Sequence, residues 1–413
     1  MKLTVSRAVS WRLCAIALAC GIAGLASCVA PKPPPPPPPV VVLPPPPVAG
    51  HPLSSDSPDF LRLPNLAPGQ TPVRVGVILP FGSSTAATRN LAAAMLKAAQ
   101  LALYDSKNSN IVLITADEGS KPDDAAAAAD KLLAQGAEVI IGPLFGPSVS
   151  AVAPIARDRA VPVLAFSTEK SVAGNGAYLL SFLPQSEVNR VVAYAASQGH
   201  HDFAAMVPQN EYGDVIAGAF ADAVKSAGGD SVDVEHFTPS TNAVMAPSGA
   251  VAKTKADAVM IAQGGPVLRA IAPSLSFSGL DRDKVKLLGT GLWDDPAIVR
   301  EDMLLGGWFA APEPNAVNAF NSRFHDAFGT NPPQLASLAY DAIALVALLS
   351  GGQPYHRFTQ AALMDPNGFS GVDGIFRFNT DGTSERGLAV LEVAPDGFHV
   401  VSPPPKTFQP SAF

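Results

Sequence analysis

Metal and nucleophile chemistry both need clustered side chains, and the histidines and cysteines of this 413-residue chain make no such cluster. The seven histidines are scattered; none forms a helical pair or stands with a cysteine at a zinc spacing, and His200-His201 reads as an exposed loop. No Gly-x-Ser-x-Gly elbow presents a serine, and Gly289-Thr290-Gly291 lacks the third glycine of a phosphate-cradling loop. The expectation is no catalytic residue, no metal and no cofactor. What remains is a set of polar and aromatic residues in loops that follow apolar runs: Phe81, Ser148, Ser167, Thr168, Glu169, Tyr212, Trp293 and Asp294. Hydroxyls and carboxylates there suit hydrogen bonding to a small polar ligand, and the rings suit stacking on it. Each has a plainer alternative, the hydroxyls as caps or turn residues and Tyr212, Trp293 and Trp308 as wall filling.

The elements that must position these loops alternate between strand and helix. Val73 to Leu79 is a short β-branched run that ends in Pro80-Phe81-Gly82, as a buried strand entering a loop does. Ala86 to Ser106 has helical spacing of Leu91, Met95, Ala98 and Leu101. Strands are predicted at 111–115, 139–142 and 161–165, and helices at 125–135 and 148–159. After Pro184 the pattern restarts, with helices at 188–198, 213–227, 244–255 and 267–276 and strands at 203–208, 233–237, 258–262 and 286–289. Two further helices, 318–328 and 335–349, precede strands at 369–378, 388–393 and 398–402. The turn Asn379-Thr380-Asp381-Gly382 suits a reversal between strands. Such alternation predicts an α/β fold of two doubly wound parallel-sheet lobes joined by hinge strands.

Length and charge agree with two lobes. A remainder of roughly 350 residues exceeds one ordinary core, and 47% apolar content with 15% charge argues for burial rather than disorder. A net charge of −7 without a Lys/Arg cluster in the mature region argues against nucleic acid as a partner. The N-terminus has the layout of an export signal: Lys2, Arg7 and Arg12, then an apolar stretch from Leu13 to Leu25, then small residues. Leu25-Ala26-Ser27-Cys28 resembles the lipobox of bacterial lipoproteins, with Ala17-Leu18-Ala19-Cys20 as the competing site. That resemblance implies a signal peptide at 1–27 and lipidation of Cys28, the one cysteine left after cleavage, so that no disulfide forms within the mature chain. Val29 in place of Asp implies the outer membrane. The proline-rich run from Pro31 to Pro47 favours polyproline II geometry, a semi-rigid spacer of about 60 Å over twenty residues at about 3.1 Å each. Residues 28–72 as a whole are expected to be lipidated cysteine and tether.

Several motifs together carry a wider resemblance. Ile141-Gly142-Pro143-Leu144 with Ser148, the segment Val161 to Thr168, Tyr212-Gly213, and Ala339-Tyr340-Asp341-Ala342 resemble, in order and spacing, type I periplasmic binding proteins of the branched-chain amino-acid receptor kind. The resemblance runs from about Val73 to Val401. It implies one lobe at 73–185 plus about 309–375, a second at 186–308 plus about 376–402, and a tail at 403–413. It also implies a ligand cleft lined by loops 81–84, 145–148, 167–170, 209–212 and 290–294. In the amino-acid receptors, first-lobe hydroxyls and N–H groups hold the ligand carboxylate, which points to Ser148 and Ser167 or Thr168. A second-lobe acid holds the ammonium, yet here that loop reads Thr290-Gly291-Leu292-Trp293 without one, leaving Asp294 or Asp295. Glu169 stands where the receptors tend to carry a hydroxyl, and its charge repels a carboxylate.

These departures, with the anchor and the tether, shift the resemblance toward penicillin-binding protein activators, envelope lipoproteins of the same fold that regulate peptidoglycan synthases. The expected function is then non-catalytic regulation of peptidoglycan synthesis through a penicillin-binding protein. The alternative is a solute-binding receptor of an ABC importer for amino acids or related small polar ligands, with an ABC permease as partner. The extra helical-repeat domain that such activators often carry before the binding-protein domain is not found in this sequence.

Overall fold

The computed structural model describes residues 60–63, 71–229 and 231–408. The signal, Cys28 and the proline-rich run lie outside them. The first lobe begins with β1 (Phe60–Arg62), β2 (Val73–Leu79), α1 (Ala86–Ser106), β3 (Ile111–Asp117), α2 (Pro122–Ala134), β4 (Val139–Ile141), α3 (Gly146–Asp158), β5 (Val163–Ala165) and β6 (Ala177–Leu179). Its sheet has the order β1-β3-β2-β4-β5-β6, parallel except for β1, which pairs antiparallel with β3. Helices cover both faces of this sheet, which is why β2 reads as a continuous apolar run rather than an alternating one. Thr85 caps α1 by accepting from Thr88 N–H (3.3 Å), and Lys107 ends it in the left-handed region.

The second lobe holds α4 (Pro184–Ser197), β7 (Asp202–Pro208), α5 (Glu211–Ser226), β8 (Ser231–Phe237), α6 (Met245–Val251), β9 (Ala258–Ile261), α7 (Gly265–Phe277), β10 (Lys286–Gly289) and β11 (Trp308–Ala311). The chain then returns to the first lobe as α8 (Pro314–Phe328), α9 (Ala336–Leu349), β12 (Phe369–Gly371), β13 (Gly374–Phe378) and β14 (Ser384–Arg386). It ends in the second lobe as β15 (Ala389–Ala394) and β16 (Gly397–Ser402). The second sheet has the order β16-β15-β11-β10-β9-β7-β8, with the final hairpin antiparallel to β11. The chain thus crosses between lobes near residues 180–184, 311–314 and 386–389.

Four expectations need correction. Residues 60–62 are not tether: they add β1 to the edge of the first sheet. Residues 309–311 belong to the second lobe, because β11 pairs with β10 and its Phe309 packs into that lobe's core. Residues 376–386 belong to the first lobe, where Phe376 and Phe378 fill the same cluster as α1 and α9. The single strand expected at 369–378 is two, reversing at Val372-Asp373. The reversal expected at Asn379–Gly382 does link β13 to β14, with Gly382 at φ +83°. Among the described residues no helix is long and apolar enough to cross a membrane.

Candidate functional site

In parallel sheets the strand carboxyl ends carry the loops that can meet a ligand, and two of these loops on the first lobe are built around one carboxylate. Glu118, immediately after β3, is fully buried and accepts from the N–H groups of Leu144 (2.9 Å) and Phe145 (3.0 Å). Burial raises its carboxyl above the ordinary value, an effect partly offset by those two bonds and by the Ser148 hydroxyl. The loop can come this close because Gly142 sits at φ +89°, where a Cβ would lie 2.0 Å from the Ile78 carbonyl oxygen. Ser148 is therefore engaged with Glu118. Ser167 is engaged as well, its Oγ accepting from Glu169 N–H (3.1 Å) in a local turn. Thr168 is exposed. The Glu169 carboxylate accepts from Ser171 Oγ (2.7 Å) and lies over Gly146 at the start of α3, where a Cβ would meet its Oε2 at 1.9 Å. Phe81 is half-buried and packs against the first-lobe core, while Phe145 is an exposed aromatic in the loop after β4, the strand paired with β2.

On the second lobe, Asn210 caps α5 by accepting from Gly213 N–H (3.0 Å), which fixes Tyr212 in the first turn. The Tyr212 hydroxyl shares a 3.0 Å hydrogen bond with the Oγ1 of fully buried Thr290. Burial raises the phenol's pKa, and the neighbouring Glu187 charge raises it further. Glu187 projects from the first turn of α4 and accepts from Gly291 N–H (2.9 Å). Desolvation lifts its carboxyl to about 7, against the lesser opposing pull of that bond. Trp293 is not a ligand-stacking ring: it is fully buried in the second-lobe core, with Nε1–H donating to the Ile261 carbonyl (3.1 Å). Trp308 lies in the other face of that core, its indole N–H donating to Glu392 (2.9 Å). Asp294 remains reachable by water but stands in concave surroundings, and burial together with Asp295 raises its carboxyl. Asp295 itself is spoken for, capping the short turn at Pro296–Arg300 and pairing with Arg269 (3.7 Å).

A small cavity lies where the lobes join, bordered by Phe182, Glu187, Gly291, Asp294, Gln334 and Arg386. Its volume of about 10 Å³ is room for one water-sized group. Arg386 is buried between the rings of Phe182 (5.1 Å) and Phe376 (5.3 Å), and its Nη1 donates to Asp341 (3.4 Å). Burial drives Asp341 up to about 7, Arg386 pulls it back, and the nearby Asp373 pushes it further up. The structure thus brings Tyr212, Glu187 and Asp294 together on the second lobe. It sets Ser148, Ser167 and Glu169 around the start of α3 on the first. Sequence reasoning missed Glu118, Glu187 and Arg386. An acid directly after a buried strand marked the first, and an acid in the first turn after Pro184 marked the second; nothing local marked Arg386. Among the described residues no group of histidine, cysteine or acidic side chains is arranged to hold a metal ion.

A family model described as periplasmic binding protein matches residues 72–397. Among solved structures, a protein from Rhodospirillum rubrum described as a branched-chain amino acid ABC transporter superposes with a TM-score of 0.71 at 19% identity, over 80% of this chain and 100% of that one. A branched-chain amino acid ABC transporter periplasmic ligand-binding protein from Burkholderia xenovorans gives a TM-score of 0.63 at 20% identity, over 82% and 97% of the two chains. At these identities the likeness concerns the fold. An uncharacterized protein of Rickettsia prowazekii is 26% identical over 104 residues, and the match spans 25% of this chain and 28% of that protein.

Proposed function

This chain belongs to the periplasmic binding protein family, and from that premise we propose that it is a non-catalytic receptor that captures a small solute between its lobes and presents it to an ABC permease. The family implies a periplasmic location, and the similar structures are ABC transporter binding proteins. The observation that carries the reading is Glu187. The loop Thr290-Gly291-Leu292-Trp293 lacks the acid that the resemblance leads one to expect, and the Glu187 carboxylate comes to that loop from α4, bonded to the Gly291 N–H. Beside it stand the Tyr212 phenol and Asp294, so the second lobe offers a ring and two acids to a solute. Anchoring through lipidated Cys28, with the proline-rich run as spacer, completes the proposal.

A second reading, regulation of a peptidoglycan synthase, is favoured by one feature of the first lobe. Of the hydroxyls expected to hold a ligand carboxylate, Ser148 is engaged with Glu118 and Ser167 accepts from Glu169 N–H, while Thr168 is exposed. Titration calorimetry of the purified chain against amino acids, amines, aromatic acids and sugars separates the two. Solute capture predicts saturable binding by one class, with stabilisation of about 2.7 kcal/mol at a hundredfold excess over Kd. Silence across all four classes would sink that reading and leave the regulator.

A further inference from the structure

The two walls of the cleft carry unequal means of holding charge, and the difference names a ligand class. On the first lobe, the N–H groups of Leu144 and Phe145 ahead of α3 already donate to Glu118. The Glu169 carboxylate lies over Gly146 in the helix's opening turn. An incoming carboxylate would meet two acids and find these donors used. On the second lobe, Glu187 is half-buried and has no cation paired with it among the described residues. Its single bond, from Gly291 N–H, goes to Oε2, and Oε1 has no donor among them. That carboxylate and Asp294 border the cavity of about 10 Å³. A space of that size is at the threshold for one water, and an ammonium head is of similar size. Arg386 borders the same cavity with its Nη1 on Asp341 and with Asp373 also facing it, while its Nε and Nη2 have no partner among the described residues.

We propose, resting on the solute-capture reading, that the cleft selects an organic amine that carries an ammonium group and no carboxylate, with Glu187 seating the ammonium. The amine displaces the water that fits the cavity, gives Glu187 its missing counter-charge, and lays its carbon chain past Tyr212. Asp294 and Glu169 add attraction from either wall, so an amine with a second charge binds better than one without. An amino acid gains at Glu187 and loses at Glu118 and Glu169. An aromatic acid loses at both walls.

The test is thermal unfolding of the whole purified chain at pH 8 with 1,4-diaminobutane, leucine or benzoate at equal concentration. The expected result is a rise in Tm with diaminobutane alone, with Glu187→Gln lowering its affinity at least tenfold while circular dichroism shows an unchanged fold. Asp283→Asn, an exposed acid of the second lobe outside this cavity, controls for general charge and should leave affinity unchanged. Binding of leucine or benzoate without diaminobutane would overturn the ligand class while solute capture stands. Diaminobutane binding that survives Glu187→Gln would overturn the assignment of the residue. No shift with any of the three also overturns this proposal, and the calorimetric survey then decides solute capture separately.

Discussion

Replacing Glu187 with glutamine should make the protein more stable at pH 8, although it removes a charge from a hydrogen bond. Glutamine has the shape of the protonated acid, and its amide oxygen can still accept from Gly291 N–H. The gain is the desolvation cost of the carboxylate. The group titrates at about 7 in the fold and near the ordinary 4.5 once unfolded. A carboxyl raised in this way costs nothing below 4.5, because it is protonated in both states. The penalty grows from there to about 7 and stays constant above. At about 1.4 kcal/mol per pH unit, the interval from 4.5 to about 7 corresponds to a penalty of roughly 3 kcal/mol at pH 8. Urea unfolding of parent and Glu187→Gln at pH 4, 6 and 8, at fixed ionic strength, should show coincident curves at pH 4 and a widening gap above pH 5. Burial also raises Asp341, but that group is present in both proteins and drops out of the difference. A variant that is equal to or less stable than the parent at pH 8 would refute the reasoning, since the carboxylate would then be well solvated or paired.

Three other substitutions test separate parts of the account. Arg357→Met strands the buried Glu138 carboxylate, now 3.2 Å from the guanidinium, and should cost about 3–5 kcal/mol in chemical denaturation; adding Glu138→Gln should recover much of it. Trp293→Ala should cost about 3–5 kcal/mol by opening a hole in the second-lobe core, whereas Trp293→Phe should leave solute affinity unchanged by calorimetry because the ring does not face the cleft. Gly142→Ala combines a left-handed φ of +89° with a Cβ 2.0 Å from a backbone oxygen, so its Tm should fall by more than that of Gly218→Ala, a helical position with open space around it.

What the sequence disclosed was mostly what periodicity controls. Helix α1 and strand β10 fall at the expected bounds, because one has a long Ala/Leu face and the other a short apolar run between turn residues. Strands β6 and β11 were missed: three and four residues give no period to read, and their partners supply the pairing. The lobe boundaries slipped for a related reason. Phe376 and Phe378 are apolar whichever core they enter, and only the crossing at 386–389 decides it. The site divided in the same way. Tyr212-Gly213 opens α5 directly after a buried strand, the placement that the resemblance implied. Trp293 misled, since an aromatic residue in a ligand-side loop can turn into the core, as this one does toward Ile261. Ser148 and Ser167 stand at the expected loops, but Ser148 is engaged by Glu118, an acid whose position only the tertiary structure reveals, and the Ser167 Oγ accepts from Glu169 N–H in a local turn. Glu187 lies 104 residues from Gly291 in sequence, and no local pattern joins them.

Native mass spectrometry of the chain purified from its own cell envelope, without added ligand, tests solute capture most directly. The account predicts a non-covalent adduct of small mass on part of the population, lost when Glu187 and Tyr212 are both replaced by alanine. A bare chain that instead co-purifies with a peptidoglycan synthase would contradict it.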